Sequence, residues 1–296
     1  MPKSRGRKGK TTRTPKRAGN AASGAGGSRF TPGRLRSDDG QLGQLLVADG
    51  IPADTRVVML LPMLWLSKAH GHRGNICLDA CLTLRHAYRQ LGITAELQPV
   101  KLTVTDATGR VTVYGAAQPH WENDNFIGHV VLYLPGAGRL VDATVEQYPQ
   151  IAKLRVGPVI GRLAAGSQPI DPQQDRLPAR AQLVVPRGDL LLTYTAVADT
   201  YVDEIRNADR IEDTERAHYE AGVRFASWAL LALREPGVIN RVKQAPFPRL
   251  QALLDLLANA PEIIDESIDE YRFALPSPDG ALVERRLDEI TLPAGI

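Results

Sequence analysis

The chain is poor in cysteine, in aromatic side chains and in long apolar runs, and its first 36 residues contain no acidic residue at all. Two cysteines, Cys77 and Cys81, in 296 residues exclude a disulfide framework and fit a reducing compartment. The longest apolar run, VVMLLPMLWL at 57–66, is about half of the ~20 residues that a membrane-spanning helix needs, so no membrane partner is expected. The charged N-terminus has no apolar segment behind it, which argues against a signal peptide and for a cytoplasmic setting.

The net charge of +3 hides a division. Residues 1–36 hold 11 of the 36 Lys and Arg, which leaves 25 basic against 33 acidic residues from Ser37 onward, a balance of −8. A basic arm is joined to an acidic body, and the average describes neither. Residues 1–40, rich in Gly, Ser, Thr, Pro and Lys/Arg, carry too little apolar surface to offset chain entropy and read as a disordered arm. Its expected partner chemistry is weak, salt-sensitive contact with a polyanion.

What is present is a mixed pattern. The 41–66 stretch reads as one or two helical pieces leading into the loop SKAHGHRGN. Cys77, Cys81, Leu84, Tyr88 and Leu91 then recur at helical spacing, a seam along one face, with Arg85, His86, Arg89 and Gln90 elsewhere and Gly92 as the stop. Beyond Gly92 the period becomes two. Segments 93–115 and 129–145 read as strands with turns at DATG and PGAG, and 181–197 as a further hairpin after a polar loop near 165–180.

Residues 211–234 and 247–258 are helical, with Val223, Trp228 and Leu231 in one core face and Leu250, Leu253, Leu254 and Leu257 in the other. The sum is an α+β fold: a basic arm (1–40), a core of a helix on an antiparallel sheet (41–198) and a mostly helical C-terminal region (199–296).

A nucleophilic thiol needs a lowered pKa and a base to hold its proton, and a helix start supplies the first. Cys77 is at such a start. Cys81, one turn further in, reads as a small core hydrophobe. His129 opens the HVVLYL strand and Asp142 closes RLVDAT, so one hairpin brings both side chains together. In that order Cys77 is the candidate nucleophile, His129 the acid/base and Asp142 the group that orients it. The Cys77 backbone N–H is the default oxyanion donor, with Trp65 or the SKAHGHRGN loop as other sources.

These residues resemble the nucleophile helix and His-Asp strands of the transglutaminase-like superfamily, the papain-like Cys-His-Asp enzymes. Cys77, Arg89, Leu91, Gly92, Ile93 and Ala95 fall in the first motif and His129, Gly138, Asp142 and Thr144 in the second, over about residues 70–150. Ala143 stands where proline is common, and Val131 where many relatives carry Trp. The resemblance implies a papain-like core and a cysteine-dependent hydrolase or acyl transferase (peptidase, amidase or transglutaminase-like) acting on a peptide, protein or small amide through a thioester, with no cofactor or metal.

Arg73, Gly74, Cys77 and Asp79 are also similar to the signature of arylamine N-acetyltransferases, which implies an acyl-coenzyme A alternative. A reading from another class is a non-catalytic binding scaffold that carries the basic arm. His70 and His72 form an HxH that with Cys81 suggests zinc, without a second ligand cluster at standard spacing; loop solvation is the simpler role. His120 and Trp121 line a cleft or anchor a strand start. GAGG at 24–27 and PGAG at 135–138 lack the features of phosphate loops.

Overall fold

The computed structural model describes residues 41–68, 76–116, 118–123, 125–155, 157–165, 168–169, 177–178, 180–197, 205, 209–265 and 270–292. The basic arm, the GAGG stretch, His70 and His72 lie outside them, as does most of the 165–180 loop. All described residues belong to one unit, Pro32–Ile296. The molecule is mixed helix and sheet, and among the described residues no helix is long and apolar enough to cross a membrane.

Two helices, α1 (Gln41–Val47) and α2 (Ala53–Lys68), lead to α3 (Cys77–Gln90). The α1–α2 corner is closed by Arg56, which is 2% exposed and donates its guanidinium to the carbonyls of Leu45, Leu46 and Ala48. A buried guanidinium is tolerated there because orphan carbonyls at the end of α1 accept its protons. The foreseen stop of α3 is present. Gly92 has φ +75°, its N–H donates to Arg89, and Ile93 N–H donates to Tyr88, satisfying carbonyls of the last turn.

A long strand, β1 (Glu96–Thr105), organises the sheet that follows. On one side it pairs with β5 (Val130–Leu134) through residues 96–99 and with β2 (Val111–Tyr114) through residues 102–105; on the other it pairs with β11 (Leu190–Ala196). The PGAG segment is a 3₁₀ turn ending in left-handed Gly138, and it joins β5 to β6 (Arg139–Asp142). β7 (Val159–Arg162) and β10 (Gln182–Arg187), with the two-residue β8 (Ala164–Ala165) and β9 (Gln168–Pro169), complete the order β7-β6-β5-β1-β11-β10-β8-β9.

Every pairing is antiparallel. A separate hairpin, β3 (His120–Glu122) and β4 (Asn125–Ile127), precedes His129. The sheet curls. A Cβ on Gly161 of β7 would come within 2.5 Å of Leu183 of β10, so two strands distant in the order meet across its inner face.

All five residues of β5 are buried, although an alternating strand was expected to expose every second one. The inner face packs Val131 and Tyr133 into the curled sheet with Leu102, Leu192 and Tyr194. The other face meets α3, where Cys81 donates to the Val130 carbonyl at 3.4 Å. Burial on both sides is why periodicity alone undersells this strand.

The C-terminal region supplies the second cover of α3. It contains α5 (Asp209–Leu233), α6 (Pro236–Val242) and α7 (Pro248–Leu257), preceded in chain order by the short α4 (Pro149–Ala152). The expected helices at 211–234 and 247–258 correspond to α5 and α7. A three-stranded sheet, β12 (Glu262–Asp265), β13 (Glu270–Pro276) and β14 (Leu282–Arg286), is an addition to the helical pattern read from the sequence. Contact with α5 buries Arg85 and His86, the polar face of α3. The Arg85 guanidinium donates to both carboxylate oxygens of Glu215, and His86 Nε2 is 3.0 Å from the same group.

Gly222 lets the two helices approach. A Cβ there would lie 2.5 Å from the Cβ of His86 and 2.9 Å from the Thr83 carbonyl oxygen. Gly222→Val should therefore lower the unfolding free energy by about 2 kcal/mol despite a better helix propensity. Urea unfolding checks this, and a stability equal to the parent would mean that α5 is not in close register with α3.

Candidate active site

The sheet sets the histidine and the carboxylate side by side. β5 and β6 pair with Leu132 opposite Val141, so one step further puts Asp142 opposite Val131, with His129 diagonal to it on the same face. His129 is fixed at the mouth of the hairpin by its own carbonyl, which accepts the Val100 N–H at 2.8 Å. Gly115, at φ +78°, makes room for it: a Cβ there would come 2.7 Å from the Val100 carbonyl oxygen and 2.9 Å from His129 Cβ.

The two side chains are 0% and 1% exposed, and His129 Nε2 lies 2.8 Å from Asp142 Oδ2. Asp142 accepts three further hydrogen bonds. Tyr194 O–H reaches Oδ2 at 3.0 Å, while the Thr144 N–H and O–H reach Oδ1 at 2.9 and 3.1 Å. A buried carboxylate is expensive unless its lone pairs are met by donors, and here each oxygen has two.

Burial by itself pushes the Asp142 carboxyl up, but the His129 charge and hydrogen bond, together with Thr144 and Tyr194, hold it below the usual range. Burial likewise pushes His129 down. The Asp142 carboxylate outweighs it, the Cys77 sulfur adds to the effect, and the imidazole is raised to about 10.

Cys77 is the first residue of α3 and is 4% exposed. Its sulfur is among the groups that raise the His129 imidazole, after Asp142. Nε2 faces Asp142, and the Gln147 amide nitrogen lies 3.4 Å from the other ring nitrogen, Nδ1. Of the three residues singled out by the sequence, His129 and Asp142 are in hydrogen-bond contact, and Cys77 lies near enough to His129 to raise its imidazole. Cys81 is the contrasting thiol: burial, and after it the neighbouring Cys77 and Asp142, push it well above the ordinary cysteine value. Both cysteines are free.

In comparisons with family models, curated proteins and solved structures, no family model, no curated protein and no solved structure matches this chain. The geometry carries the argument alone.

Aromatic rings close one side of the centre. Tyr148 meets His129 edge-on at 5.4 Å between centroids, and Tyr114 stacks on Tyr148 at 3.9 Å. Sequence reasoning missed these two, together with Tyr194 and Gln147. Tyr194 is brought in from 52 residues away by the β1–β11 pairing, which no local pattern encodes. Gln147 closes the 3₁₀ turn Val145–Gln147 behind the DAT motif, and the Asp-x-Thr turn was its one available signal.

The other candidates are placed elsewhere. His120 is exposed and bonds the Gln118 carbonyl, while Trp121 packs edge-on against Phe126 across the β3–β4 hairpin, the strand-anchoring role. Among the described residues no group of three His, Cys, Asp or Glu side chains is arranged to hold a metal ion.

The raised His129 value links the site to stability. The folded imidazole retains its proton above 6.5, the ordinary value, so the stabilisation is complete below 6.5 and is lost as pH rises towards 10. Urea unfolding across that window should show the unfolding free energy of the native chain falling more steeply with pH than that of His129→Gln. Parallel pH profiles would contradict the raised value.

Proposed function

We propose that this chain is a cysteine-dependent amide or acyl hydrolase or transferase of the transglutaminase-like kind, with Cys77 as nucleophile, His129 as acid and base, and Asp142 as the orienting carboxylate. The observation that carries the reading is the position of His129, bonded to a fully satisfied buried carboxylate through Nε2 and raised further by the nearby Cys77 sulfur. An imidazole so placed keeps one tautomer and orientation and is stabilised once it becomes charged. The order of elements supports the same reading: cysteine at a helix start, histidine at the mouth of a central strand, aspartate at the end of the next. A papain-like core would require that order.

In the reaction, the proton shared by Cys77 and His129 rests on the imidazole, and the Cys77 sulfur attacks the carbonyl carbon of an amide. A C–S bond forms, and the carbonyl π pair moves to oxygen. When that pair returns, the C–N bond breaks and His129 delivers its proton to the departing amine, leaving a thioester. Water, or an acceptor amine, then attacks the thioester with His129 as base, and Cys77 recovers its proton as the C–S bond breaks. The substrate class is a peptide, a protein or a small amide. The two free thiols suit a cytoplasmic location, and the basic arm adds weak attraction to polyanions.

Alkylation by iodoacetamide, located by peptide mapping, tests the reading. Cys77 should react at least tenfold faster than Cys81 in the folded protein at pH 7, and His129→Ala should slow the Cys77 reaction by about 10²-fold. Equal, slow labelling of both thiols would remove the enzymatic reading and leave a binding scaffold.

A further inference from the structure

Gln147 is the polar side chain at the reacting edge of His129 that the mechanism above leaves unused. Its amide orientation is settled by its neighbours. Thr144 spends its hydroxyl proton on Asp142 Oδ1, so its oxygen is left as an acceptor, and the Gln147 group 3.3 Å from that oxygen must be the NH₂. One N–H is therefore anchored on Thr144. The same nitrogen sits 3.4 Å from His129 Nδ1.

Whenever Nδ1 carries the proton taken from Cys77, the ring nitrogen can only donate, and the second Gln147 N–H has no acceptor on the ring. A donor is thus free beside His129 when the substrate carbonyl becomes an oxyanion. The burial of Cys77, His129 and Asp142 and the Tyr148–Tyr114 wall restrict water as a competing donor, which raises the value of a fixed N–H.

We propose that Gln147 donates a hydrogen bond to the oxyanion formed on the substrate, acting with the Cys77 backbone N–H, and is the side-chain member of the oxyanion hole. The proposal rests on the reading of Cys77 as nucleophile. It departs from the sequence expectation, which looked for this donor in Trp65 or in the loop before Cys77. Trp65 instead packs against Phe225, 5.6 Å between ring centroids.

Two reagents separate the roles on the full chain. p-Nitrophenyl acetate acylates the thiol through an oxyanion: the C–S bond forms, the ester C–O bond breaks, and p-nitrophenolate leaves. Iodoacetamide alkylates the same sulfur by displacing iodide at a saturated carbon, with no oxyanion. Rates of both would be measured at Cys77 for the native chain, Gln147→Leu and the near-isosteric Gln147→Glu.

The ratio of acylation to alkylation should fall by about 10²–10³ in both variants, as the loss of one oxyanion donor requires. A ratio unchanged in either variant, whether both rates drop together or neither does, overturns the role of Gln147 while leaving the nucleophile in place. A native chain whose Cys77 reacts with neither reagent overturns the parent reading, and this inference with it.

Discussion

The buried bond between His129 and Asp142 is the constraint on which the rest of the site depends. Neither group can be ionised in a dry interior alone; together, and with the Thr144 and Tyr194 donors, both can. The pairing turns Nε2 to the carboxylate and leaves Nδ1 on the other side of the ring. Removing Asp142 would leave a buried imidazole without its counter-charge, a loss of about 3–5 kcal/mol for a pair of this type. The hairpin register, the Gly115 approach and the inward-facing Tyr194 all serve that one contact.

Helix α3 is the other half of the device. It is clamped between β5, through Cys81 and the Val130 carbonyl, and α5, through Gly222 and the Arg85–Glu215 pair. Tyr88 adds a bond from its hydroxyl to the Val58 carbonyl of α2 at 2.6 Å. A helix held on three sides has little freedom to slide, so its first residue, Cys77, is held in place by packing. Cys81 is part of the clamp, and the burial that this brings pushes its thiol well above the ordinary value.

The sequence made the helix, the two hairpins and the His129–Asp142 contact legible because each rests on local pattern: apolar spacing, a terminal glycine, alternation and a turn. What it hid depends on long-range contact. The burial of Arg85 and His86 follows from α5 covering a polar face, and the periodicity of α3 alone marks that face as solvent-facing. Tyr194 enters the site only because β11 pairs with β1. β12–β14 follow three helices, and their charged residues, among them Arg272, Arg286 and Glu270, form ion pairs that strand alternation does not reveal.

The raised imidazole makes His129 a charged ring held against Asp142. Nitrogen-15 NMR of the histidine rings reads this directly, with Asp142→Asn used to assign the resonance. The account predicts that both His129 nitrogens are protonated at pH 8 and that the ring loses its proton only near 10. A ring that is neutral at pH 8 and titrates near 6.5 would contradict it.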